Sequence, residues 1–315
     1  MIRKQRRICA SVHLRTPISC TCILGCIFIL SYYITSIHYR RNTNNIPDIP
    51  LPVPQLTRTL IIYVYAETHG LARQNLNFFI RTAVNQSHDA DYYFILQRIN
   101  GATFNESQLP TLPSNAHYIQ HENKCFDIGT IGWFLSSGII DIMKYKYFIF
   151  LNSSVRGPFI VSYYDSPIWY TIFTRRLNDY IKLVGCTINC DITPHVQSYL
   201  WALDNTGLSF FLKNTTVFSC YKSKIDTIHT GEVIASEILL RSGFGIDSLM
   251  KKYQGIDFRS NINSPCKDSL NPTFKKRVDG ITLDPFEVVF VKVRDNSPLF
   301  SDNRQRAEVY EKWIH

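Results

Sequence analysis

The residues in this chain whose type and spacing could do chemistry fall in a few short segments. In 147–159, YFIFLNSSVRGPF, an aromatic and aliphatic run stops at Asn152, Ser153 and Ser154. The run reads as a buried strand delivering small hydrogen-bonding side chains to its carboxyl end, where α/β proteins bind their ligands. Arg156 adds a planar guanidinium suited to a phosphate. Acid–base or metal chemistry would want a carboxylate at this strand end, and none stands there. In 121–138, HENKCFDIGTIGWFLSSG, Asp127 is placed to cap a helix. Gly129 and Gly132 would let a ligand approach that helix start closely; the structural alternative is small residues for packing. In 185–204, GCTINCDITPHVQSYLWALD, His195, Gln197 and Ser198 fall at a helix start after Pro194. His195 reads as a ligand, a base or a plain polar residue. In 229–245, HTGEVIASEILLRSGFG, Glu232 lies in a first helical turn and shares a face with Ser236. The helix dipole alone favours an acid there.

These side chains need elements to hold them. Residues 59–65, TLIIYVY, and 92–97, YYFILQ, are continuous apolar runs of the buried-strand type. Residues 70–84 place Leu71, Leu76, Phe79, Ile80 and Ala83 at helical spacing. Helices are expected over 128–143, 195–204, 231–241 and 304–314, and further strands over 146–151, 181–185 and 286–292. Strands alternating with helices predict an α/β fold with a mostly parallel sheet covered on both faces. No internal repeat, Gly-rich phosphate loop or GxSxG elbow appears, which weighs against an α/β hydrolase.

The net charge of +9 is not spread along the chain. Residues 1–41 hold seven Lys and Arg and no acid, which leaves +2 for the rest. No basic stripe follows, so nucleic acid is not the expected partner. Residues 18–37, ISCTCILGCIFILSYYITSI, are long enough to span a bilayer and carry no charge. The more basic upstream flank puts the N-terminus in the cytosol. The rival, a cleaved signal peptide, would have a long basic region and no clear cleavage site. The organisation expected is a cytosolic tail over 1–17, a signal anchor over 18–37, a proline-containing stem over 38–58 and a lumenal domain over 59–315. Sequons at Asn85, Asn105, Asn152 and Asn214 suit a lumenal domain, with Asn85, Asn105 and Asn214 as glycan acceptors. A glycan on Asn152 would block a site at that strand end. Cys125, Cys186, Cys190, Cys220 and Cys266 follow the span, and an odd count leaves one outside any intramolecular pairing.

The order of these segments resembles the nucleotide-sugar-binding half of GT-A glycosyltransferases. TLIIYVYAE, the ENKCFD loop, a helix with glycines and an aromatic strand ending LNSS carry that resemblance, and TGEVIASEILLRSGF is similar to the acidic helix of inverting members. A closer resemblance is to the bacterial rhamnan-synthesis F proteins and related eukaryotic glycosyltransferase-like proteins. ENKCFDIGTIGW, YFIFLNSSVRGPF, KLVGCTINC, HVQSYLW and DPFEVVFVK carry it over 59–295. The resemblance implies a GT-A-like, Rossmann-like domain that transfers a hexosyl or deoxyhexosyl group from a nucleotide sugar to a glycan or glycoconjugate. It implies Glu232 as catalytic base, Asp127, Asn152, Ser153, Ser154 and Arg156 on the donor, and His195 and Gln197 on the acceptor side. A Golgi-type, single-pass type II location follows. The family's strand ends in an Asp-x-Asp-type motif that holds Mn or Mg, whereas this chain has Asn152-Ser153-Ser154. That departure leaves two alternatives: a metal-independent enzyme, or an inactive, glycan-binding lumenal relative.

Overall fold

The computed structural model describes residues 58–161, 168–260, 266, 271–294 and 298–313. The tail over 1–17, the anchor over 18–37 and all but the last residue of the stem lie outside the described residues. Among those described, no helix is long and apolar enough to cross a membrane.

The described chain opens at Arg58, whose guanidinium holds Asp91 at 2.8 and 2.5 Å. Strand β1 (Thr59–Tyr65) follows and is buried along its whole length. Helix α1 (Ala72–Ala83) connects it to β2 (Ala90–Arg98), and β3 (Ala116–Glu122) extends the sheet on that side. Helix α2 (Phe126–Ser136) then carries the chain back to β4 (Tyr147–Asn152), which pairs with the other side of β1. After the short β5 (Val155–Arg156) come β6 (Ile181–Gly185), the hairpin β7 (Ile188–Asn189) and β8 (His195–Val196), and β9 (Leu200–Asp204). Helix α3 (Asn205–Asn214), a π turn over Thr227–Val233, helix α4 (Ile234–Arg241) and β10 (Gly245–Ser248) follow. Strand β11 (Val291–Lys292) and helix α5 (Ser301–Trp313) close the described chain.

The main sheet has seven strands in the order β10-β6-β9-β4-β1-β2-β3. Its pairings are parallel except those of β9, which runs antiparallel to β4 and β6. The α/β expectation with a mostly parallel sheet is therefore met. Strands buried on both faces explain why β1 and β4 are almost free of polar side chains. Phe79 of α1 shows how a helix docks: its ring meets Tyr63, Phe94, Trp169 and Phe290 at 4.9 to 6.2 Å. Burying such a side chain contributes about 1.5–3 kcal/mol.

The structure corrects several element expectations. Segment 195–204 is not a helix; it is the end of a hairpin followed by a central strand. Leu200, Trp201, Ala202 and Leu203 are almost fully buried between two neighbours, and tertiary pairing overrides their helical spacing. The strand expected over 286–292 begins as a helical turn, because Pro285 sits in its first turn and Asp284 accepts a hydrogen bond from Phe286 N. Only Val291–Lys292 pairs, antiparallel to β5. Helix α2 stops at Ser136, ahead of Gly138 at φ +75°, rather than running to 143. Asp127 is inside its first turn, and the capping position belongs to Cys125. Strand β3, AHYIQHE, was not expected, because a half-buried edge strand lacks an apolar run.

Candidate functional site

Beyond β1 the chain builds β2 and β3 on one side, then β4 on the other. The carboxyl ends of β1 and β4 part there, and ligands bind at such switch points in open α/β sheets. A cavity of about 710 Å³ opens at this place. The strands contribute Val64, Ala66, Gln97, Asn152, Ser153 and Ser154. The start of α2 adds Phe126 and Asp127, and the hairpin region adds Asn189, His195, Gln197 and Ser198. Glu232 of the π turn, Lys224, Lys292 and Arg294 complete the polar wall, with Asp191 at its rim.

Asn152 ties the strand end to α2. Its amide Nδ2 donates to Asp127 Oδ2 at 2.6 Å, and its Oδ1 accepts from Ser154 N at 3.1 Å and Ser154 Oγ at 2.5 Å. Asp127 Oδ1 accepts from Ile128 N at 3.0 Å. Burial pushes the Asp127 carboxyl above its ordinary value; the Asn152 hydrogen bond opposes this and the Glu232 charge adds to it. The preceding residue, Phe126, is held at φ +53°, a left-handed conformation that is costly for a bulky side chain. Two anchors hold it there. Gln97 Nε2 donates to Phe126 O at 2.9 Å, and Cys125 is joined to Cys220.

Glu232 is the other carboxylate, with its side chain 14% exposed. Ser198 donates to Oε2 through its backbone N at 2.9 Å and through its hydroxyl. His195 Nε2 lies 3.4 Å from Oε1. The other ring nitrogen, Nδ1, lies 2.7 Å from the Thr193 carbonyl, an acceptor, so Nδ1 carries a proton. Burial pushes Glu232 up, but His195, Lys292 and Ser198 outweigh it and bring the carboxyl down to about 2. Gln197 is buried, accepting from Thr187 Oγ1 at 2.9 Å and donating to Asn271 Oδ1 at 3.4 Å. Val196 N donates to Ser236 Oγ at 3.0 Å and fixes the hairpin on α4.

The residues singled out in the sequence thus divide. Asp127, Asn152, Ser153, Ser154, His195, Gln197 and Glu232 meet around one cavity. The Ser153 hydroxyl is engaged just past β1, donating to Ala66 O at 3.0 Å and accepting from Ala66 N at 3.3 Å. Arg156 does not reach the cavity. It is 1% exposed, and its guanidinium bonds Asn75 Oδ1, Gln74 Oε1 and Glu311 Oε2 at 2.9, 3.2 and 3.4 Å. The turn at Ser153-Ser154 separates it from Asn152, and its side chain packs toward α1 and α5. Gly129 and Gly132 serve packing rather than ligand approach. A Cβ on Gly132 would lie 2.2 Å from Phe218 O, and one on Gly129 2.9 Å from Ser219 O. Asn85, Asn105 and Asn214 are exposed, while the Asn152 amide is half-buried and engaged.

Three positioning or lining residues escaped the sequence reading. Asn75 is fully buried and donates to Ser153 O and Val293 O, both at 2.9 Å, while accepting from Arg156. It locks the β4 exit to the segment carrying Lys292 and Arg294. The signal for those cations was present in VKVR, whose alternation puts both on one face. Asn75 gave no signal, being one polar residue on an apolar helix face.

Among the described residues, no group of three or more His, Cys, Asp or Glu is placed to hold a metal ion. Both Asp127 oxygens and Glu232 Oε2 already accept from donors, and Glu232 Oε1 faces the His195 ring, so the donor set does not fit a divalent cation.

No protein-family model matches the sequence, and no curated protein matches it. Solved structures to which the chain is similar are glycosyltransferases. The mannosyltransferase PcManGT from Pyrobaculum calidifontis, solved with GDP-Man and Mn2+, has 11% identity and a TM-score of 0.37, over 72% of this chain and 65% of that one. The glycosyltransferase GlyE of Streptococcus pneumoniae TIGR4 has 11% identity and a TM-score of 0.40, over 82% of this chain and 60% of that one. The chain spans less than two thirds of either structure. A glycosyltransferase involved in glycosylation of the major capsid of PBCV-1 has 11% identity and a TM-score of 0.36, over 81% of this chain and 99% of that one.

Proposed function

We propose that the chain is a glycosyltransferase moving a sugar from a nucleotide-sugar donor to a glycan or glycoconjugate acceptor. In this reading residues 18–37 hold it in a Golgi-type secretory membrane with the C-terminal domain in the lumen. The observation that carries the proposal is the switch-point cavity with two carboxyl groups driven apart in proton affinity, Glu232 down to about 2 and Asp127 up. Such a pair keeps Glu232 ionised, and so free to accept a proton, while Asp127 is the more readily protonated of the two. Glycosyl transfer needs a pocket for the donor, counter-charge for the leaving diphosphate and a base for the acceptor hydroxyl. Asp127, Asn152 and Ser154 face the donor in this assignment, and His195 and Gln197 shape the acceptor side. Glu232 takes the acceptor's proton; Asp127, which holds a proton more tightly, is the competing base.

Hydrolysis and transfer from a panel of nucleotide sugars, with and without Mn2+, test the reading. The wild-type chain should turn over at least one donor. Whichever of Glu232→Gln and Asp127→Asn loses roughly 10²–10⁴-fold in kcat while still binding donor identifies the base. Absence of both binding and turnover across the panel contradicts the proposal. One observation favours a non-catalytic, glycan-binding protein instead: Ser198 and His195 between them occupy both Glu232 oxygens. Full cellular function of Glu232→Gln would support that second reading.

A further inference from the structure

The cavity contains cations that the donor and acceptor assignments leave unused. Lys292 and Arg294 stand two residues apart in an extended segment whose alternate residues, Val291 and Val293, are 2% and 0% exposed. Both charged side chains therefore leave the same face, the one lining the cavity. The segment is fixed to the strand end that carries Asn152. Val293 N donates to Ser154 O at 3.0 Å, and Asn75 Nδ2 bonds Val293 O and Ser153 O. Lys224 enters the same cavity from the residues ahead of the π turn.

Several cations of the domain are neutralised locally. Arg58, Arg73, Arg81, Arg98, Arg176 and Lys182 each pair with a carboxylate. Among the described residues, Lys292, Arg294 and Lys224 form no ion pair. Lys292 instead lies 5.6 Å from the centre of the Tyr199 ring. Lys224 is exposed, but Lys292 and Arg294 are half-buried, and holding two such cations side by side costs free energy that a bound anion would offset. The Asp127 and Glu232 carboxylates on the same cavity would repel a diphosphate, so an anionic ligand needs the opposing cations. A guanidinium fork beside an ammonium suits the two phosphates of a diphosphate.

We propose that Lys292 and Arg294, with Lys224 facing them, form the diphosphate subsite of this cavity and bind that group without a divalent metal. The inference rests on the nucleotide-sugar reading for the nucleoside attached to the diphosphate, but not for the diphosphate itself. In a transfer reaction the subsite would neutralise the leaving diphosphate as the sugar bond breaks.

Calorimetric titration of the full chain with inorganic pyrophosphate, uridine diphosphate and guanosine diphosphate, in EDTA and in Mn2+, tests it. Binding in EDTA should match binding in Mn2+ and weaken at least tenfold in Lys292→Gln/Arg294→Gln. Lys213→Gln/Lys312→Gln, exposed and outside the cavity lining, carries the same change in net charge and should bind as wild type. Thermal melts report folding, and Arg294→Gln alone, expected to lose several-fold, serves if the double variant unfolds. Binding only in Mn2+, or undiminished binding by the variants, overturns the proposal and leaves the glycosyltransferase reading standing. Metal-free pyrophosphate binding with no gain from either nucleoside supports the subsite while counting against the nucleotide donor. No binding of any probe overturns both.

Discussion

Glu232 and Asp127 share a cavity, yet their surroundings act on them in opposite ways, and each can be tested by titration. The Glu232 carboxyl is held at about 2 against an ordinary 4.5. A carboxyl with a lowered folded value stabilises the fold above its unfolded value and loses that contribution as pH falls through the folded one. Glu232→Gln is therefore expected to be less stable than wild type at pH 7, by up to on the order of 3 kcal/mol, with the gap closing between about pH 4.5 and pH 2. Denaturant unfolding at several pH values measures it; a gap independent of pH would contradict the assignment. Asn75 gives a second prediction. Asn75→Leu leaves Ser153 O, Val293 O and one Arg156 donor buried without their partner. Each such group costs about 1–3 kcal/mol, so a large loss of stability is expected. At this scale the sequence singled out Asp127, Asn152 and Glu232, and the fold brings the three to one cavity. The sequence misled at Arg156, because a strand end followed by one arginine does not say to which face the guanidinium turns.

Helix α2 does most to shape the site, and its fit is set by glycine and sulfur. Gly129 and Gly132 let it lie against residues 218–220, and the Cys125–Cys220 disulfide fixes its start there. Gly132→Ala would force a Cβ into Phe218 O, so a destabilisation of about 1–3 kcal/mol is expected from chemical unfolding. Removing the disulfide by Cys125→Ser/Cys220→Ser opens a loop of 95 residues and should cost about 2–5 kcal/mol. If the cavity reading holds, both changes should also weaken donor binding, since they release Asp127 and Phe126. The glycines stood out in the sequence, but their partner lies some ninety residues away and no local pattern names it. The same limit explains 195–204: its spacing suits a helix, and only the neighbours β4 and β6 make it a strand.

At the scale of the whole molecule, the alternation of apolar runs and helical spacings made the α/β class and the central strands legible. The reversal of strand order around β1 was not, because it depends on which side β4 joins. Sulfur bookkeeping was legible only as an odd count; the structure pairs Cys125 with Cys220 and Cys190 with Cys266, leaving Cys186 buried and free. Expression through a secretory pathway should place glycans on the exposed Asn85, Asn105 and Asn214 and leave Asn152 bare, as read by glycopeptide mass spectrometry. A glycan on Asn152 would contradict a ligand site at the β4 end. The most direct test is a crystal structure of the chain soaked with a nucleoside diphosphate in EDTA. The account predicts nucleotide density in the cavity between Asn152 and Lys292, with the diphosphate against Lys292 and Arg294. An empty cavity at saturating nucleotide, or nucleotide bound elsewhere on the domain, would contradict it.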